Sequence, residues 1–130
     1  MTDYNEVKAI LNDFLSLYGN ERLGIRRLYK KYGDSTLFLA LMRDLNEAEK
    51  IPVKEAMLAV YSELKPYRAK NLLDKDWEEI TKTASNIVKK YGDNRWLKHF
   101  ILEMLDFLEA DDLEIRRAAA AKNGEEKKAA

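Results

Sequence analysis

The chain has 130 residues, 23 Lys or Arg against 23 Asp or Glu, and a formal net charge of zero at pH 7. At 46% hydrophobic and 35% charged it can build one domain's core and is not disordered overall. The absence of Cys excludes disulfides, zinc–thiolate sites and thiol nucleophiles, and no apolar run is longer than Leu37–Met42, far short of the roughly 20 residues a membrane span needs.

Met1–Glu6 has no basic start and no apolar stretch after it, which argues against a secretory signal and for a cytoplasmic protein with its native start. From there the pattern repeats at a helical period. Residues 4–18 place Val7, Ile10, Leu11, Phe14, Leu15 and Tyr18 on one face, and residues 21–32 do the same with Ile25, Leu28, Tyr29 and Tyr32. Residues 36–47 are apolar around most of the circumference, through Leu37, Phe38, Leu39, Leu41, Met42 and Leu45, which predicts a helix buried on several sides. Pro52 suits a first helical turn, and Val53, Ala56, Met57, Val60 and Leu64 form a stripe that ends before Pro66. Leu72 and Leu73 are expected to plug the core from a loop. Asp76 is placed to cap a helix bearing Trp77, Ile80, Ala84, Ile87, Val88 and Tyr91. A broadly apolar helix follows over about 94–109, and Asp112 is placed to cap a last, Ala-rich helix to about Lys122. Asn123-Gly124 then reads as a stop, leaving 1–122 as one domain and 123–130 as a charged, disordered tail. No stretch of comparable length alternates at period two. The fold class is all-α: a compact bundle of about six or seven helices, centred on 36–47 and 94–109.

Lys30-Lys31-Tyr32-Gly33-Asp34 recurs as Lys89-Lys90-Tyr91-Gly92-Asp93. Each copy joins an amphipathic helix to a mostly apolar one. Lysines in a last turn complement the negative helix end, Gly closes the helix, and Asp or its neighbour, Ser35 or Asn94, caps the next. A duplicated αα-hairpin and convergence on good capping chemistry both account for the repeat.

Catalytic patterns do not assemble. His99 is the one histidine and has no second His or Cys to share a metal. No nucleophile elbow or phosphate-cradling Gly-rich loop is present. Residues 44–55 mimic a calcium loop at Asp44, Asn46 and Glu55, but Ala48 and Glu49 stand where an oxygen ligand and a turn glycine are needed. The expectation is therefore a protein that is not an enzyme and takes no cofactor or metal.

Charge is segregated along the chain. Arg22, Arg26, Arg27, Lys30 and Lys31 lie within residues 22–31 with no acid among them. Residues 101–114 carry Glu103, Asp106, Glu109, Asp111, Asp112 and Glu114 with no cation. Three readings fit: solvated faces or pairing across the bundle, a protein partner docked by complementary charge with self-association as one form, and a nucleic-acid backbone lying on residues 22–31. A base-reading helix-turn-helix does not fit, because the second helix would present Leu37, Phe38, Leu39 and Leu41 rather than polar side chains. The sequence thus predicts a small binding protein (adaptor, inhibitor or accessory subunit) with the 22–31 cations as one docking face. Glu103, Asp106, Glu109, Asp111 and Asp112 form the expected acidic patch. The alternative is an accessory subunit that holds RNA or DNA backbone without sequence preference.

Overall fold

The computed structural model describes residues 1–19 and 25–129, with side chains up to residue 123. Seven α-helices make up the described residues: α1 (Tyr4–Gly19), α2 (Ile25–Tyr32), α3 (Thr36–Met42), α4 (Leu45–Ala48), α5 (Val53–Glu63), α6 (Asp74–Lys90) and α7 (Arg95–Ala129), with a 3₁₀ turn at Lys65–Tyr67. No strand occurs among them, and the fold is all-α. No helix is long and apolar enough to cross a membrane among the described residues.

The pair α3–α7 packs most extensively; α1 lies against α3, α4 against α7, and α5 against both α6 and α7. Phe38 and Leu41 of α3 and Trp96, Leu97 and Phe100 of α7 are wholly buried. Phe14 of α1 stacks on Trp96 at 5.9 Å between centroids, and Trp96 on Phe100 at 5.9 Å. The α5 stripe behaves as its spacing requires, with Val53, Ala56, Met57, Val60 and Leu64 all buried.

Capping follows local chemistry. Asp3 Oδ1 accepts the N–H groups of Asn5 and Glu6 at the start of α1. Ser35 Oγ accepts Phe38 N–H at 3.2 Å, and Asn94 Oδ1 accepts Leu97 N–H at 3.1 Å, so the neighbours of the two repeat aspartates cap α3 and α7. The repeat glycines differ in role. Gly92 has φ +72°, the left-handed geometry that ends α6. At Gly33 a Cβ would collide with the Tyr29 carbonyl oxygen, so close approach is what demands glycine there.

Several boundaries depart from the sequence reading. The helix expected over 36–47 breaks after Met42, where Arg43 turns extended and Asp44 takes φ 56°. Contacts from α7 hold that corner: Trp96 Nε1 donates to Leu41 O at 2.9 Å, and Asn94 Nδ2 donates to Glu47 O at 2.8 Å. Leu73 does not plug the core; it is exposed while Leu72 is buried. α6 starts at Asp74, and Asp76 sits inside its first turn, accepting Leu73 N–H at 2.9 Å. The two helices expected over 94–109 and 112–122 are one. No Gly or Pro interrupts residues 109–112, and the Asp112 carboxylate is used by another segment rather than as a cap. The backbone of α7 also continues as helix through Asn123 and Gly124. The surrounding Ala, Glu and Lys are strong helix formers, and one Gly costs only about 1 kcal/mol.

Candidate functional site

Helix α2 owes its position to Tyr32, whose buried side chain donates from its hydroxyl to Asp13 Oδ2 of α1 at 2.6 Å. That hydrogen bond, together with burial, holds the phenol above its ordinary pKa. Lys31 Nζ reaches the same Asp13 carboxylate at 3.5 Å. Fixing one face of an eight-residue helix in this way turns Arg26, Arg27 and Lys30 outward, all three exposed. Among the described residues none of these three is in an ion pair, whereas Lys31 is. Arg22 lies outside the described residues.

The apolar face of α2 is only partly covered. Leu28 is half-buried, while Ile25 and Tyr29 remain 40% and 43% exposed. Tyr29 leans its ring edge-on to Phe38 at 5.2 Å. Beside Ile25 a pocket of about 440 Å³ opens between α1, α3 and α4, lined by Phe14, Leu17, Tyr18, Met42, Leu45 and Glu49. Tyr18 and Glu49 bring polar groups to its otherwise apolar walls, and Ile25, the first residue of α2, lines it. Sequence reasoning assigned no site role to Phe14, Leu17, Met42 or Leu45. The available signal was Ile25, an apolar residue beginning a helix too short to bury both of its sides. A shallower open cleft of about 990 Å³ lies on the other side of Tyr18, between α1 and α5, with Leu15, Pro52, Val53 and Leu58 among its walls.

The expected acidic patch divides into two kinds of residue. Asp111 and Asp112 are 1% and 5% exposed and work inside the fold. Asp111 Oδ1 accepts the backbone N–H and the hydroxyl of Thr2, both at 2.8 Å, and Oδ2 accepts the Tyr4 hydroxyl at 3.0 Å. Burial, then the charge of Asp111, raises the Tyr4 pKa well above its usual value. Asp112 Oδ1 accepts Leu72 N–H at 2.8 Å and Arg116 Nε at 3.1 Å, and Arg116 Nη2 also donates to Leu72 O at 2.6 Å. These two acids are therefore not part of a docking surface. They continue the apolar stripe of Leu97, Ile101, Met104 and Leu108 into the interior. Glu103 is half-buried and accepts the Thr36 hydroxyl at 2.9 Å. Asp106 and Glu109 are exposed.

His99 is half-buried. Its Nδ1 lies 3.0 Å from Asp44 Oδ2 without hydrogen-bond alignment, and neither atom has another partner. Among the described residues no group of three or more His, Asp or Glu side chains is arranged to hold a metal ion. Residues 44–55, with their likeness to a calcium loop, contain helix α4.

No family model, curated protein or solved structure matches the chain.

Proposed function

We propose that the chain is a non-enzymatic protein-binding module that receives its partner on the α2 face. The observation that carries this reading is the meeting of an apolar pocket with uncompensated positive charge. Ile25, Phe14, Leu17, Met42 and Leu45 offer a concave apolar surface, and Arg26, Arg27 and Lys30 follow Ile25 on the solvent side of α2. A protein segment with an apolar anchor and acidic neighbours uses both features. The anchor gains from desolvation in the pocket, and the charges set orientation and speed of encounter.

A phosphate backbone would use the cations alone. The three exposed cations keep that second reading in play, with the arginine forks as the phosphate donors. It leaves the exposed apolar surface of Ile25 and Tyr29 without a role.

The two readings separate in one pair of assays. After nuclease treatment, the wild-type chain should capture a defined protein set. Tyr29→Asp and the triple variant Arg26→Glu, Arg27→Glu, Lys30→Glu should both lose that set; unchanged capture by both variants contradicts the reading. Labelled single-stranded RNA and duplex DNA titrated across a salt series test the alternative. Binding that weakens steeply with salt, with a shallower slope when the three cations become Ala, would move α2 to nucleic acid.

A further inference from the structure

The same chain carries a surface that complements the α2 face. On α7 the side chains of Leu102, Asp106, Glu109 and Leu113 are all exposed, and their spacing of four, three and four residues puts them on one stripe. Leu102 and Leu113 are 56% and 43% exposed, so two aliphatic residues flank two acids. Among the described residues Asp106 and Glu109 take part in no ion pair. Lys98 and Arg117 follow at the two ends, which confines the acidic stretch to about three helical turns. Leu102 to Leu113 spans about 16 Å, comparable with the roughly 12 Å length of α2.

We infer that the occupant of the α2 face is α7 of a second copy of this chain. The inference rests on the protein-binding reading above and names the partner. Asp106 and Glu109 meet Arg26, Arg27 and Lys30, while Leu102 or Leu113 packs on the exposed edge of Tyr29 beside Arg26. Charge complementarity is the argument. Each face has an unneutralised sign and partly exposed apolar residues at helical spacing, and the 23 cations and 23 anions of the whole chain cancel. A monomer presenting both faces is thus self-complementary between copies. The contact joins two different patches, so two copies either close about a two-fold axis or continue as a chain.

Charge reversal on each face, with full-length protein in sedimentation velocity, tests the contact. All the altered side chains are exposed, and far-UV circular dichroism checks that the helices persist. Wild type should associate with rising concentration and dissociate as added salt shortens the screening length from about 10 Å at 0.1 M to about 3 Å at 1 M. The variant Arg26→Glu, Arg27→Glu, Lys30→Glu should weaken association at least about tenfold, and Asp106→Lys, Glu109→Lys should do the same. Mixing the two variants in equal amounts should restore association, because each altered face meets its complement on the other. Three results would overturn the inference: a wild-type chain that stays monomeric to about 1 mM at low salt, association indifferent to both reversals, or variants that fail to associate when mixed. The capture assay decides the protein-binding reading separately. Loss of a captured protein in the α2 variant beside a monomeric wild type leaves that reading standing with a different partner.

Discussion

The basic helix and the acidic stretch of α7 look alike in sequence, each a dense run of one sign, yet the fold uses them in opposite ways. On α2 the cations Arg26, Arg27 and Lys30 face solvent, and a tyrosine, Tyr32, fixes the helix. At residues 111–112 of α7 the charges themselves are buried. Asp111 ties down the N-terminal Thr2 and Tyr4, and Asp112 ties down the loop at Leu72. A charge run therefore has no single meaning. What decides is its phase on the helix: α2 keeps its cations off the buried Tyr32 side, while Asp111 and Asp112 fall on the buried stripe of α7.

The sharpest way to break this contrast is to remove the buried acids. Asp112→Ala leaves the Leu72 N–H and one side of Arg116 without a partner, and Asp111→Ala orphans three donors at once. Each should cost about 1–3 kcal/mol in urea unfolding, the range for leaving a buried hydrogen-bonding group without its partner. Asp112→Asn, which retains an acceptor oxygen, should recover part of the loss. Equal stability of wild type and Asp112→Ala would remove the structural role assigned to that acid.

The next effect is on pH dependence. The phenol pKa values of Tyr4, Tyr32, Tyr67 and Tyr91 are all raised in the folded chain, with burial leading at Tyr4, Tyr67 and Tyr91 and the hydrogen bond to Asp13 leading at Tyr32. Above pH of about 10 the unfolded chain releases phenol protons that the folded chain still holds, so stability falls as pH rises. Thermal unfolding should show a falling Tm in that window. Tyr4→Phe should make the decline shallower, since its shift is the largest, and an unchanged slope would contradict the burial of that phenol against Asp111.

The smallest stability effects belong to the exposed faces. Arg26→Ala, Arg27→Ala and Lys30→Ala, like Asp106→Ala and Glu109→Ala, should each change unfolding free energy by no more than about 0.5 kcal/mol. A loss of several times that from any of the three α2 cations would mean that it holds the fold, as Asp112 does.

The helical architecture was legible because amphipathic spacing reports burial directly. The α5 stripe and the caps at Ser35 and Asn94 follow from local rules. The break at residues 43–44 was not legible, since groups some fifty residues away hold it, namely Trp96 on Leu41 O and Asn94 on Glu47 O. Leu72 and Leu73 show the same limit: neighbours of equal hydrophobicity, one buried and one exposed, sorted only by where the loop meets Asp112. The site was half legible. Arg26, Arg27 and Lys30 stand out as charges, but the pocket that Ile25 lines is assembled from α1, α3 and α4. The burial of Asp111 and Asp112 was recoverable in principle, because they extend the period that runs through Met104 and Leu108.

If the α2 face and the outer stripe of α7 meet between copies of the chain, raising the concentration must bury both. Amide hydrogen–deuterium exchange of the wild-type protein at low and high concentration tests it most directly. The account predicts that raising concentration slows exchange in residues 25–32 and 102–113 and leaves residues 53–63 of α5 unchanged. Protection that is independent of concentration in both segments, or that grows only elsewhere, would contradict it.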